Sequence, residues 1–154
     1  MKIIAVCLGN ICRSPLAEGL LKREAELHGL DWEVASGGTA GYHKGNPPDP
    51  RSVAVAREHD VDISAQRSHH VTVDDLEYYD LVLGMDRQNV EDLLKRAVTD
   101  VQKSKIHLFL DYAGLTESDG YDVFDPYYDD SAYAGVYELV DRAAKGVMVR
   151  VEAG

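Results

Sequence analysis

The feature that most constrains the fold of this chain is the segment Cys7–Ser14, with the sequence CLGNICRS. It lies between a short apolar run, Ile3–Val6, and a stretch with helical hydrophobic spacing that begins at Pro15. An apolar run that ends in a Gly-containing turn predicts a buried parallel strand, and proline is favoured at the first position of a helix. We therefore predict the order strand, tight loop, helix for this part of the chain.

This order predicts an anion site. The unpaired N–H groups of a helix start point toward the preceding loop, and the helix dipole favours negative charge there. Gly9 gives the loop backbone freedom, and Arg13 carries a planar guanidinium that can bind two phosphate oxygens at once. Cys7 ends the strand at the same point, where a positive field favours its thiolate. A thiolate in a phosphate cradle predicts attack on phosphorus and a phosphocysteine intermediate.

Two other interpretations of the cysteines carry less weight. A single Cys at the end of a core strand is usually a packing residue, but its spacing to Arg13 and Ser14, directly between strand and helix, favours the reactive role. Cys7 and Cys12 have no matching His or Cys pair elsewhere, so they make a poor zinc pattern. No metal or organic cofactor is implied by the sequence.

Four apolar runs alternate with helical patterns, which predicts an α/β fold in which a four-stranded parallel sheet has helices on both faces. The predicted strands are Ile3–Val6, Trp32–Ala35, Leu81–Met85 and Ile106–Leu110. The Gly-rich segment Ser36–Gly41 and the long segment Asp111–Tyr128 are predicted to be irregular. Asp49, Thr72 and Asp86 are predicted to cap helices. Because ligands bind where parallel strands end, the loops that follow all four strands should meet at one rim.

Two motifs resemble those of a known family. Cys7–Pro15 resembles the signature loop of the low-molecular-weight protein tyrosine phosphatases, and Asp125-Pro126 followed by Tyr127-Tyr128 resembles a second family motif. The similarity covers nearly the whole chain. It implies a flavodoxin-like or Rossmann-like fold of the phosphotyrosine protein phosphatase I type, and hydrolysis of phosphotyrosine.

The resemblance also implies roles for individual residues. Cys7 would be the nucleophile, Arg13 would bind the phosphate, and Asp125 would be the general acid that later activates water. The remaining residues of the phosphate loop would be Leu8, Gly9, Asn10, Ile11, Cys12 and Ser14, with Ser14 as a hydrogen-bond donor to the Cys7 sulfur. Aromatic residues suited to a pocket wall are Tyr42, Tyr127 and Tyr128.

A supporting network is implied as well. Asn10 would hold the loop in its strained shape together with Ser36, and Gln66 stands where the family usually has a network His. The amide of Gln66 can both donate and accept, so the network is expected to survive. Cys12 would trap an oxidised Cys7 as a reversible disulfide, which makes a redox-sensitive cysteine pair. No role is predicted for His69 or His70.

Composition limits the partners. The 154 residues suit one domain, residues 1–154. The net charge of −11 argues against nucleic acid, whose binding needs basic surface. No apolar run is long enough for a membrane span, and a cytoplasmic location is the default expectation. The expected partners are tyrosine-phosphorylated proteins and, with them, a tyrosine kinase.

Three rival functions remain open to test. A protein arginine phosphatase on the same scaffold typically carries Thr where this chain has Ile11, so the apolar Ile11 favours the ester substrate. An arsenate reductase would need cysteines beyond Cys12 to pass on a disulfide. A phosphotyrosine-binding module without activity would not need Asp125.

Overall fold

A parallel β-sheet of four strands organises the chain, and a computed structural model describes all of it, residues 1–154. The strands are β1 (Lys2–Cys7), β2 (Glu33–Gly38), β3 (Leu81–Gly84) and β4 (Ile106–Leu108), in the spatial order β2-β1-β3-β4. Because β1 pairs with β2 on one side and with β3 on the other, the connections diverge at its carboxyl end. Ligands bind at such a point in open parallel sheets.

Eight α-helices and one 3₁₀ turn accompany the sheet. They are α1 (Arg13–Leu27), α2 (Pro50–Arg57), α3 (Val73–Tyr78), α4 (Arg87–Arg96), α5 (Asp100–Ser104), α6 (Phe109–Tyr112), α7 (Thr116–Asp119) and α8 (Tyr133–Ala153), with the 3₁₀ turn at Asp130–Ala132. None of these helices combines the length and the apolar character that crossing a membrane requires.

The two faces of β1 separate the core into two layers, because successive side chains of a strand point to opposite faces. Ile3 and Cys7 belong to the larger apolar cluster, which contains the buried faces of α1 and α8. Ile4 belongs to a smaller cluster with Leu76 of α3 and Leu93 of α4. The predicted α/β fold with helices on both faces is confirmed.

Strand β2 is longer than the sequence pattern predicts. Its Gly-rich end was predicted to be irregular, but it stays in the sheet through Gly38, which pairs with Cys7. A Cβ atom on Gly38 would lie 2.8 Å from the carbonyl oxygen of Leu8, and one on Gly37 would lie 2.5 Å from a methyl group of Val71. The absence of side chains on Gly37 and Gly38 lets Leu8 and Val71 pack directly against the strand. Pairing with β1 outweighs the weak strand propensity of these glycines.

Other boundaries differ by a few residues. Helix α1 begins at Arg13, so Pro15 is its third residue; this costs no hydrogen bond because the first four N–H groups of a helix have no intrahelical partner. Strand β4 ends at Leu108, and Phe109 starts α6. The predicted irregular segment Asp111–Tyr128 contains α7, and α5 was not predicted.

The predicted helix caps are confirmed. Each of the three side chains accepts a hydrogen bond from a main-chain N–H of its helix, and those of Thr72 and Asp86 form capping boxes with the third helical residue. Asp86 also ends the connection from β3, so it lies at the rim beside the loop that follows β1. Its second carboxylate oxygen takes no part in the helix cap.

Candidate active site

The loop between β1 and α1 curls around the sulfur of Cys7. The Asn10 N–H donates to Cys7 Sγ at 3.3 Å, and Asn10 has a φ of 56°, in the left-handed region that non-glycine residues rarely adopt. The main-chain N–H groups of Gly9, Ile11 and Cys12 donate to no protein atom. Free N–H groups in a curled loop before a helix form a cradle for an anion.

A chain of buried hydrogen bonds holds this loop. Asn10 Oδ1 accepts from the main-chain N–H of His69 at 2.9 Å, and Asn10 Nδ2 donates to Ser14 Oγ at 2.8 Å and to Ser36 Oγ at 2.9 Å. Ser36 Oγ in turn donates to Glu18 Oε1 at 2.8 Å. A main-chain N–H can only donate a hydrogen bond, and a carboxylate can only accept one. The two ends of this series therefore fix its direction, with each donor pointing from His69 through Asn10 and Ser36 toward Glu18.

This direction determines what Ser14 can do. Its oxygen already accepts from Asn10, so its own hydrogen is left for Cys7 Sγ at 3.0 Å or for the Gly37 carbonyl at 3.4 Å. The sulfur is the nearer of these two acceptors. The predicted contact between Ser14 and Cys7 is therefore present in the structure.

The prediction that Gln66 completes this network is wrong. Gln66 Nε2 donates to the Pro15 carbonyl at 3.1 Å, and its Oε1 is buried without a partner. Glu18, only 8% exposed, takes the place at the end of the chain because Ser36 reaches it directly. Glu18 follows Ser14 by four residues on α1, so helical spacing placed the two on one face and offered a signal that was missed.

Arg13 lies at the start of α1 with a side chain only 4% exposed. Its Nη1 donates to Asp86 Oδ2 at 2.7 Å and to the Val123 carbonyl at 3.0 Å. Burial tends to lower the pKa of Arg13, but the charge of Cys7 and the bond to Asp86 raise it, and the net shift is upward. Arg13 is thus a permanent, oriented cation, and Asp86 is a site residue that sequence reasoning named only as a cap.

Asp125 stands at the mouth of the same site. One carboxylate oxygen accepts from the Tyr127 N–H at 3.2 Å, which is an Asx turn, and the other lies 3.7 Å from Arg13 Nη2. Its side chain is 46% exposed, and the following Pro126 is buried. The Asp-Pro-Tyr sequence therefore fixes a carboxylate above the cradle while leaving it open to solvent.

A cavity of about 250 Å³ joins these parts. Its lining includes Cys7, Leu8, Gly9, Ile11, Cys12, Arg13, Asp125 and all three predicted wall residues, Tyr42, Tyr127 and Tyr128. Tyr128 is the most open of these, at 94% exposure. His43 lines the cavity too, although it was not predicted; a Cβ atom on Gly9 would lie 3.0 Å from its ring.

Cys12 belongs to the same apolar cluster as Cys7, but it contacts helix α8. Its sulfur lies 3.4 Å from the hydroxyl of Tyr133 on α8, and neither cysteine forms a disulfide. Burial raises the pKa of Cys12 to about 11. Cys12 is therefore held as a neutral thiol at physiological pH. Nowhere does the structure bring together three or more His, Cys, Asp or Glu side chains in a group suited to a metal ion.

Comparisons with known proteins agree on one family. A family model described as low molecular weight phosphotyrosine protein phosphatase matches residues 2–154. The human protein of that description is 33% identical over 150 residues, which span 95% of this chain and 92% of the human one. A protein tyrosine phosphatase structure from Entamoeba histolytica superposes with a TM-score of 0.92 at 32% identity, covering 100% of this chain and 98% of the other. The arginine phosphatase YwlE of Bacillus subtilis superposes with a TM-score of 0.88 at 29% identity, covering 99% and 96%.

Proposed function

This chain belongs to the low molecular weight phosphotyrosine protein phosphatase family, and we propose that it hydrolyses phosphotyrosine in proteins through a phosphocysteine on Cys7. One observation carries the proposal. The Cys7 sulfur lies inside a loop of free N–H groups, between a buried Arg13 and a half-exposed Asp125, at the base of a cavity with aromatic walls. Nucleophile, anion cradle and proton donor thus face one volume.

In the first step the Cys7 thiolate attacks phosphorus, an S–P bond forms, and the P–O bond to the tyrosine breaks. Asp125 gives its proton to the departing phenolic oxygen, so neutral tyrosine leaves. The free N–H groups of the loop and the Arg13 guanidinium hold the three remaining phosphoryl oxygens, on which charge spreads in the transition state. Asp86 keeps Arg13 in place for this task.

In the second step the Asp125 carboxylate takes a proton from water as the water oxygen attacks phosphorus. The S–P bond breaks, inorganic phosphate forms, and the electron pair returns to the Cys7 sulfur. Ser14 donates a hydrogen bond to that sulfur, which stabilises it as a leaving group. Asp125 ends the cycle protonated, ready for the next substrate.

The cavity suits a phosphorylated phenyl ring. Its aromatic residues Tyr42, Tyr127 and Tyr128 offer faces and edges for ring contacts, which are worth about 0.5–1.5 kcal/mol beyond area burial. A phosphoserine side chain is shorter and has no ring to make those contacts. Tyrosine-phosphorylated proteins, and the tyrosine kinase that forms them, are accordingly the proposed partners, with the cytoplasm as the proposed location.

Cys12 supports a redox role in this proposal. Once an oxidant has converted Cys7 to a sulfenic acid, the Cys12 thiol would displace water and form a disulfide that a thiol reductant reopens. Peroxide-treated enzyme should then regain activity with dithiothreitol, whereas Cys12→Ser should be rescued much less.

The likeness to YwlE supports one alternative, the hydrolysis of phosphoarginine. Ile11, which lines the cavity and is half-buried, offers that substrate no hydroxyl, and this favours the tyrosine ester. Paired peptides that carry phosphotyrosine or phosphoarginine in one sequence distinguish the two functions by their kcat/KM values.

The test is turnover of a phosphotyrosine peptide in buffer containing a metal chelator. We expect hydrolysis that Cys7→Ser abolishes, and a drop of about 10²–10⁴-fold in kcat with Asp125→Asn, because a general acid contributes that much. Asp129→Asn, a change at a nearby exposed carboxylate that does not line the cavity, is the matched control. Turnover that survives Cys7→Ser would refute the proposal.

A further inference from the structure

A second depression adjoins the cavity. It is a groove of about 470 Å³, and Leu8 and Tyr42 line both the groove and the cavity, so the two are continuous across these side chains. A peptide whose phosphotyrosine enters the cavity on this side has neighbouring residues within reach of the groove. The polar residues of the groove therefore bear on the choice of substrate.

Arg96 is the distinctive side chain of this groove. Its Nη1 donates to the Val71 carbonyl at 3.0 Å and its Nη2 donates to the Thr39 carbonyl at 2.9 Å. No carboxylate lies within 4.0 Å of it. A guanidinium has five N–H donors, so three remain available on a cation that two main-chain carbonyls already hold in place.

Arg51, which lies beside the cavity residue Tyr127, is by contrast paired with carboxylates. Arg51 lies over the ring of Tyr127 at 5.5 Å, and it pairs with Asp49 at 2.8 Å and with Asp130 at 2.5 Å. The two carboxylates neutralise the positive charge of Arg51, so it does not attract an anionic ligand. Arg96 thus differs from Arg51 in being held without a counter-ion.

The remaining charges of the groove nearly cancel. Lys95 is largely exposed and its Nζ lies 3.2 Å from Glu91, while Asp92 accepts from the side chain of Gln88 at 2.9 Å. With Lys95 and Asp92 of opposite sign, Arg96 leaves the groove with one net positive charge. This is notable on a chain whose net charge is −11.

We propose that this groove binds the carboxylate side chain of an acidic residue close to the phosphotyrosine of the substrate, with Arg96 as the residue that determines the preference. The inference rests on the proposed function. An acidic peptide is repelled by the molecule as a whole, but at physiological ionic strength charges beyond about 8 Å are largely screened, so the nearby guanidinium dominates. Arg96 acts on substrate choice and has no part in the chemical step.

The test uses phosphotyrosine peptides with Glu or Gln at each of the three positions before and after the phosphotyrosine. In the wild-type protein, Glu at one or more positions should raise kcat/KM over Gln by about three- to fivefold, the size expected for a partly exposed ion pair. Because the ratio is taken within one protein, a general loss of activity or stability cancels. Ratios near one at every position overturn the inference.

Three variants in the groove and one control outside it locate the effect. Arg96→Gln should bring the ratio to about one, and Arg96→Lys, which keeps the charge, should retain most of it. Ala40→Asp places a carboxylate in the groove while leaving the side chain of Arg96 unchanged, and because it brings the net charge of the groove to zero it should abolish the preference. Arg57→Gln removes one positive charge that lines neither cavity nor groove, and it should leave the ratio unchanged.

The outcomes separate the two proposals. A ratio that persists in both Arg96→Gln and Ala40→Asp assigns the preference elsewhere and overturns the inference while leaving the phosphatase function intact. Absence of hydrolysis with every peptide refutes the proposed function, and the inference that rests on it falls with it.

Discussion

Asp86 holds Arg13 with one carboxylate oxygen and caps α4 with the other. The Arg13 Nη1 donates to Asp86 Oδ2 at 2.7 Å, while Asp86 Oδ1 accepts from the Asn89 N–H at 2.8 Å. The guanidinium of the first residue of α1 is thus fixed to the last residue of the connection between β3 and α4. The helix cap and the proposed phosphate site therefore share one side chain.

Asp86→Asn separates these two functions. An Asn side chain can still cap the helix, but its amide hydrogens face those of Arg13, so the guanidinium should shift. We expect kcat/KM for p-nitrophenyl phosphate to fall by about 10²-fold, since misplacement of a positioned group by about 1 Å has that effect. Thr99→Ala, which removes a comparable cap from α5, is the control for lost stability and should keep full activity. Equal activity of Asp86→Asn and the wild type would contradict the assignment.

The chain of hydrogen bonds from Glu18 to Ser14 predicts coupled mutations. Ser36→Ala and Glu18→Leu should each lower kcat by about two- to tenfold, the effect of one hydrogen bond, because the loop that carries the Ser14 donor loses support. If Glu18 acts through Ser36, the double variant should be no slower than Ser36→Ala. Lys22→Met removes the other partner of the carboxylate, an ion pair at 2.6 Å, and should leave kcat unchanged. Additive losses in the double variant would show that the two residues act separately.

The raised pKa of Cys12 predicts that the folded protein loses stability at alkaline pH. Burial raises its pKa from 9.0 to about 11, so above pH 9 the unfolded chain gives up this proton while the folded chain keeps it. The unfolded state then binds fewer protons, and the free energy of unfolding must fall as the pH rises from about 9 to 11. Urea unfolding at several pH values should show this fall, with a shallower slope in Cys12→Ala. Equal slopes would assign the effect to other groups, such as Tyr133, whose pKa burial also raises.

The net charge of −11 predicts an unusual salt dependence. A dianionic substrate is repelled by the whole molecule and attracted only by the cradle, so moderate salt should raise kcat/KM by screening the repulsion. Initial rates with p-nitrophenyl phosphate from about 10 to 200 mM salt, at fixed pH, would measure it. A steady fall from the lowest salt upward would indicate that the local field of Arg13 dominates the encounter.

Sequence patterns predicted the sheet and several helix starts because these depend on local signals. Apolar runs gave the four strands, and the capping side chains at Asp49, Thr72 and Asp86 gave the starts of α2, α3 and α4. The end of β2 could not be predicted in this way. Gly37 and Gly38 have weak strand propensity, and only the pairing of Gly38 with Cys7 in three dimensions keeps them in the sheet.

The residues of the candidate site also divide into those with a local sequence signal and those without one. Cys7, Arg13 and Asp125 could be predicted as candidate site residues because each lies in a motif of neighbouring residues. Asp86 and Glu18 lie in no such motif, and their partners Arg13 and Ser36 are distant in sequence. Gln66 was placed in the network by analogy with a His, but a side chain's hydrogen bonds depend on which atoms meet after folding.

Position 38 shows how a site can depend on space as well as on chemical groups. A methyl group there would lie 2.8 Å from one loop carbonyl and 3.2 Å from the carbonyl carbon of Gly9, so the mildest substitution, Gly38→Ala, has to displace the backbone that surrounds the sulfur. Mutational scans that consider only polar or charged residues would overlook this position. Tolerance to mutation around the sulfur is therefore set partly by the empty volume beside the loop, contributed by a residue with no functional group of its own.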